Sequence, residues 1–302
     1  MNEIKQSEKG IQYFRPEEIH REKWDSCVQD AVLLQSKYLD LLCPHWHALV
    51  EDDYQAVIPL PTRQKYGLNY IYPPFFMLPL PWNESFIFAI PQTYFLADII
   101  TEKKWQPKSF SKLIPHRSFV LDLKLPYETL FKQYAENTKR NLKKTPNFEI
   151  RTEEPADALI ELFQAHRGNA KDVGFKAEDY LILKQLSQAL WADKHLEIHS
   201  LYLDNQFIGG VLWLKQGAYY YFWFSAVDVR YKSTFPLFFL IDHFIKNHSE
   251  SDFKIDFRGS NQESLARFYR SFGATDYSYN QYIFSPKSKI FTEILRPYLF
   301  FK

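Results

Sequence analysis

The chain has 302 residues, enough for two modest domains or one large one, and its 46% hydrophobic and 24% charged residues are those of a globular protein. A formal net charge of +1 gives no global field that would recruit nucleic acid or an anionic membrane, so any polyanion must be read by a local patch. Two cysteines, Cys27 and Cys43, exclude a disulfide framework and a paired-cysteine redox or metal motif.

Residues 1–10 are polar and lack the apolar core of a signal segment. Residues 17–42 predict helix in two pieces. From Trp46 the pattern turns to strands: His47–Glu51, a turn at Asp52-Asp53, then Tyr54–Pro61 read as a hairpin, with Leu68–Tyr72 a third strand. The proline-dense run Tyr72–Trp82 cannot be regular helix or central strand and predicts an ordered aromatic loop. Pro91 predicts the start of a helix reaching about Lys104, and Phe119–Leu123 a strand.

A single helix is expected from Pro126 to Lys144, ended before Pro146. A strand at Phe148–Arg151 and helices near 155–167 and 178–191 follow. Next comes a meander of Leu196–Leu203, the turn Asp204-Asn205, Gln206–Leu214 and Tyr219–Ala226. The pattern closes with helix 235–248, strand Phe253–Phe257, helix Gln262–Phe272, strand Tyr277–Phe284 and a helical tail over 288–302. The most apolar stretches, Tyr219–Ala226 and Phe235–Ile241, are far too short to span a bilayer. A cytoplasmic protein of bacterial type is the expectation. This mixture of strands and helices predicts an α/β or α+β fold of mixed sheets flanked by helices.

Certain segments carry a resemblance. Ala266-Arg-Phe-Tyr-Arg-Ser-Phe-Gly-Ala274 is similar to the GNAT acetyltransferase motif in which a helix with an aromatic–Tyr pair ends at a glycine; Gly273 suits the left-handed C′ position there. The hairpin Asp204–Gly210 resembles the turn between the second and third strands of that family. The basic helix Tyr134–Lys144 and the strand end Asp256–Ser260 resemble Fem-type aminoacyltransferases, which carry two GNAT-like halves; an acidic residue would be expected at the Arg258 position. The resemblance spans most of the chain and is specific over 196–284. It implies a degenerate N-terminal half, 1–122, and a C-terminal acyltransferase half with tail, 123–302.

The resemblance also implies a function: transfer of an acyl or aminoacyl group from acyl-CoA or aminoacyl-tRNA to an amine, borne by a small molecule or a cell-wall precursor. The family's glycine-rich pyrophosphate loop corresponds here to Arg230–Pro236. Arg230, Lys232, Ser233 and Thr234 are its candidate donor-binding residues, since a helix N-terminus favours an anion. Ser233 and Phe235 stand where glycines are expected, and the whole chain has only 9 glycines. Acyl-CoA is therefore a possible co-substrate, and no permanently bound cofactor is expected. Lys132, Lys139, Arg140, Lys143 and Lys144 offer a local surface for tRNA, or simply a solvated helix face.

Tyr269 is the candidate acid for the leaving group, against the plain reading of a core tyrosine. Asp256 is carried as a catalytic candidate, but Asp228, Asp256 and Glu197 all sit at or near strand ends and none stands above the others as the base. Tyr221 and Trp223 are expected to line an acceptor groove, and Arg258 and Ser260 to hold the acceptor, although Ser260 equally suits a helix cap. His45 and His47 lack the further ligands a zinc site needs, so no metal is expected. The rival to an enzyme is a binding protein on the same scaffold that has lost the CoA loop. Either reading requires the strands beyond about 195 to part beside the helix that begins near Thr234.

Overall fold

Alternating apolar side chains build the strands and Pro or Asn punctuates the helices, in a computed structural model that describes residues 10–105, 112–152, 154–168, 174–258 and 261–287. In chain order the elements are β1 (Ile11–Phe14), α1 (Arg21–Cys27), α2 (Ser36–Leu42), β2 (His47–Glu51), β3 (Ala56–Leu60), β4 (Thr62–Lys65), β5 (Leu68–Ile71), α3 (Glu84–Phe88) and β6 (Tyr94–Thr101). There follow β7 (Lys112–Asp122), α4 (Tyr127–Lys132), α5 (Glu136–Leu142), β8 (Glu149–Arg151), α6 (Asp157–Arg167), α7 (Ala177–Ala192), β9 (Leu196–Leu203), β10 (Gln206–Gln216) and β11 (Tyr219–Val227). A 3-10 segment at Val229–Thr234 leads into α8 (Pro236–His248), β12 (Lys254–Asp256), α9 (Glu263–Arg270) and β13 (Thr275–Phe284). The expected mixed α/β architecture is present.

The chain divides into two compact units, Met1–His116 with Ser278–Lys302, and Arg117–Tyr277. By contact, β13 leaves the second unit after Tyr277, where the pattern of elements keeps it in the second half. In the first unit β1, β2 and β3 form an antiparallel sheet, and β4, β5, β6 and the end of β13 lie side by side with only β5 and β6 parallel. Its core gathers Trp24, Trp46 and Trp82, all buried.

The second unit orders its strands β7-β12-β11-β10-β9-β8, antiparallel except for β11 and β12. The β9–β10 turn holds Asp204 and Asn205 at φ 49° and 62°, the left-handed pair that matches hairpin twist. α8 starts with Pro236 in its first turn and buries Leu240, Ile241, Phe244 and Ile245 as one stripe. Phe244 stacks on Trp213 of β10 with ring centroids 3.8 Å apart. α9 ends as Gly273 turns to φ 87°, two residues beyond the Ser271 cap rather than at C′.

Several expectations are corrected. Residues after Pro91 form β6, not a helix: Pro91 accepts a turn hydrogen bond from the Tyr94 amide at 3.1 Å, and the β-branched Ile99-Ile100-Thr101 extends between β5 and β13. The helix expected over Pro126–Lys144 breaks at Tyr134-Ala135. Tyr134 turns inward against Phe131 and Phe272, and the Ala135 amide donates to Ser271 O at 2.9 Å instead of continuing the helix. β1 and β4 were not expected from pattern, being four residues each. The tail 288–302 lies outside the described residues. No helix among those described is long and apolar enough to cross a membrane.

Candidate functional site

β11 and β12 pair at only three positions, Tyr219–Tyr221 against Lys254–Asp256. β11 runs on to Val227, but β12 ends, so the two strands part and the required opening exists. Opposite β10 the register shifts: Leu212 faces Phe224 and Trp213 faces Phe222, leaving Trp223 as the extra residue of a bulge. The bulge turns Phe222 toward Phe257 and Tyr269, at 6.2 Å from each ring, whereas Phe224 packs on Phe163 of α6 at 4.8 Å.

A cavity of about 630 Å³ opens at this parting. From β11 come Phe222, Ser225, Ala226 and Val227; from the start of α8, Phe235, Pro236, Leu237 and Phe238. α9 adds Gln262, Ser264, Leu265, Phe268 and Tyr269, and α6 adds Leu162, Phe163, His166 and Arg167, with Val229 and Lys232 between. α8 has no side-chain cap at its N-terminus, and Phe235 before it sits at φ 59°, ψ 43°. A left-handed bulky residue is costly and rare, and this is one of the two positions where a glycine is expected. The backbone has kept the glycine's shape without the glycine.

The structure brings together Tyr269 and Lys232 of the sequence candidates. Tyr269 is 7% exposed, its ring stacked on Phe257 at 5.0 Å, and burial pushes its phenol up to about 12. It therefore meets a ligand fully protonated. The other candidates fall elsewhere. Arg230 turns its guanidinium onto Asp228, Nη2 to Oδ2 at 2.6 Å; that pairing holds the Asp228 carboxyl at about 2 and leaves Arg230 committed. Thr234 donates its hydroxyl to Tyr231 O at 2.7 Å, and neither it nor Ser233 lines the cavity.

Tyr221 and Trp223 are half-buried on β11 and do not line the cavity. Asp256, 2% exposed, is likewise absent from the lining. Its carboxylate accepts from Ser118 Oγ at 2.5 Å, Tyr277 OH at 2.7 Å and the Arg258 amide at 2.8 Å. Those donors lie on β7, on β13 and just after β12, so the Asp256 carboxylate ties these segments together as an anchor. Arg258 takes φ 48° beside it and is not in the lining, and Ser260 lies outside the described residues.

His166 is the residue that sequence reasoning missed. It lines the cavity, and its Nε2 lies 3.9 Å from Asp228 Oδ1, an ion-pair distance once the ring is protonated. No spacing in the sequence links position 166 to 228; only the fold of α6 across β11 does. Glu197 sits in a cluster of its own, accepting from Tyr220 OH at 2.7 Å with His248 Nε2 at 3.3 Å. In the first unit His47 is occupied by Tyr13 and by Tyr94, the latter at 2.7 Å. Among the described residues no group of three or more His, Cys, Asp or Glu side chains could hold a metal ion.

Residues 131–282, just over half of the 302, match the sequence model of the acetyltransferase (GNAT) domain. No curated protein matches the chain. Among solved structures, FemX is similar at TM-score 0.58 and 10% identity, over 87% of this chain and 96% of its own. A tandem GNAT protein from the clavulanic acid biosynthesis pathway is similar at TM-score 0.51 and 10% identity, over 91% and 98%. The L-PGS of Bacillus licheniformis is similar at TM-score 0.52 and 10% identity, over 92% and 94%. At such identities the likeness is one of fold.

Proposed function

Because the chain belongs to the GNAT acetyltransferase family and is an acyltransferase, we propose that it transfers an acyl group from a CoA thioester to an amine within the cavity between β11, α8 and α9. The observation that carries this reading is the parting of β11 from β12 at a cavity lined by Tyr269 and His166. The uncapped amides at the start of α8, with Lys232, form the anion-binding end. His166 takes a proton from the attacking amine, with Asp228 stabilising the imidazolium. A carbon–nitrogen bond forms, the carbon–sulfur bond breaks, and the sulfur leaves as a thiolate that accepts a hydrogen bond from the Tyr269 phenol. With its proton held so tightly, Tyr269 serves as a donor to the sulfur and not as a full acid.

Phe235 and Pro236 favour a second reading. A ring at the expected glycine and a missing amide both hinder a pyrophosphate, as they would in a binding protein that has lost the loop or in an enzyme fed by aminoacyl-tRNA. Thiol release from acyl-CoA esters in the presence of a panel of primary amines decides the matter. Amine-dependent release supports the thioester reading; none with folded protein sinks it.

A further inference from the structure

We propose that the acyl group this cavity accepts is uncharged, apolar and longer than acetyl, a deepening that rests on the thioester reading above. About 630 Å³ is the size of a pocket for a drug-like ligand, room for the arm of the thioester that reaches from the α8 start and for an acyl group larger than two carbons. Its walls are Phe163, Phe222, Phe235, Phe238, Leu265 and Phe268. The bulge at Trp223 is what lets one strand present aromatic rings toward both α6 and α9. Such walls reward apolar atoms: each methylene moved from water onto them improves affinity about fourfold. An acetyl group leaves most of that surface wet.

Charge selects in the same direction. Among the described residues lining the cavity there is no Asp or Glu, while His166, Arg167 and Lys232 are present. The ammonium of an aminoacyl group would meet no carboxylate in the lining, the nearby Asp228 being paired with Arg230, and would lie beside cations, which is costly in a partly desolvated site. An alkyl or aryl acyl group meets no such penalty. The polar groups, Gln262, Ser264 and Ser225, are too few to solvate a charged chain.

Calorimetric titration of the whole protein with CoA, acetyl-CoA, butanoyl-CoA, octanoyl-CoA and phenylacetyl-CoA tests this, alongside Leu265→Trp, which fills the cavity from the rim of α9. The expected result is octanoyl-CoA binding at least about 100-fold tighter than acetyl-CoA, with that advantage largely erased in Leu265→Trp. Equal affinity for acetyl and octanoyl esters overturns the inference and leaves the thioester reading standing. A length dependence untouched by Leu265→Trp also overturns it, since the chain then lies elsewhere. Failure of every CoA ester to bind folded protein overturns the thioester reading and the inference together.

Discussion

Tyr269 lies flat against Phe257, ring centroids 5.0 Å apart and planes 20° from parallel. The stack fixes the phenol of α9 against the strand end from which the cavity opens, and burial keeps its proton in place. Tyr269→Phe removes one oxygen and keeps the ring stack. The expected outcome is an unchanged melting curve and a fall in kcat of about 10²- to 10³-fold, the range for losing one hydrogen-bond donor to developing negative charge. Because burial holds the phenol up to about 12, its loss of proton leaves the wild-type rate untouched up to about pH 10. Wild-type activity in the substituted protein refutes the assignment.

His166→Asn addresses the other half of the transfer. His166 is on the surface end of α6, so stability should hold within about 0.5 kcal/mol. kcat should fall by at least about 10²-fold, and added imidazole should restore part of it. Asp228→Asn should reproduce a smaller loss, since it touches His166 only at 3.9 Å. Steady-state rates with and without imidazole measure both.

Position 235 reverses the usual order of residues. At φ 59° alanine keeps the strain that phenylalanine bears, and glycine does not. Phe235→Gly should be more stable than Phe235→Ala by about 1 kcal/mol, the opposite of their ranking inside a helix. Urea denaturation of the two variants reads this difference. Phe235→Gly should also bind CoA more tightly than wild type, because backbone amides at the start of α8 become approachable.

Asp256→Asn separates anchor from base. Replacing a buried carboxylate with three donors should cost about 2–3 kcal/mol of stability. The remaining folded protein should keep its kcat. A collapse of kcat with stability intact would instead put Asp256 back into the chemistry.

Glu197 sets an acid limit. Burial pushes its carboxyl up, yet His199, His248 and Tyr220 outweigh burial and hold it well below the usual carboxylate range. A folded-state pKa below the unfolded one contributes stability above about pH 4.3 that is lost as pH falls through the folded value. Glu197→Gln should therefore be less stable than wild type at pH 7, by about 1 kcal/mol given its partly exposed side chain, and the gap should begin to narrow only below about pH 4. Thermal melts across that range measure it.

The order of the second unit was legible because local signals agree there. Asp204-Asn205 demands a tight hairpin, alternating aromatics mark β11, Pro236 opens α8, and Gly273 supplies the positive φ after α9. The signals failed where tertiary contacts override local preference. Pro91 suits a helix start, but sheet neighbours on both sides draw Tyr94–Thr101 into extension. Nothing in Lys132–Ala135 announces that Tyr134 will turn into the core. In the site, the motif singled out Tyr269, which lines the cavity, whereas Asp256, singled out at a strand end, does not. His166 and Phe163 were invisible, as a residue enters a cavity by the path of its helix over the sheet, which spacing along the chain does not encode.

Three rungs join β11 to β12, and three more join β12 to β7. Among the described strands of the second unit only β8 and β9 are stitched as thinly, and the β11–β12 seam borders the cavity. Beyond Tyr221, β11 continues to Val227 with no further rung to β12, so a guest drawn into the cavity has that stretch of strand to lie along.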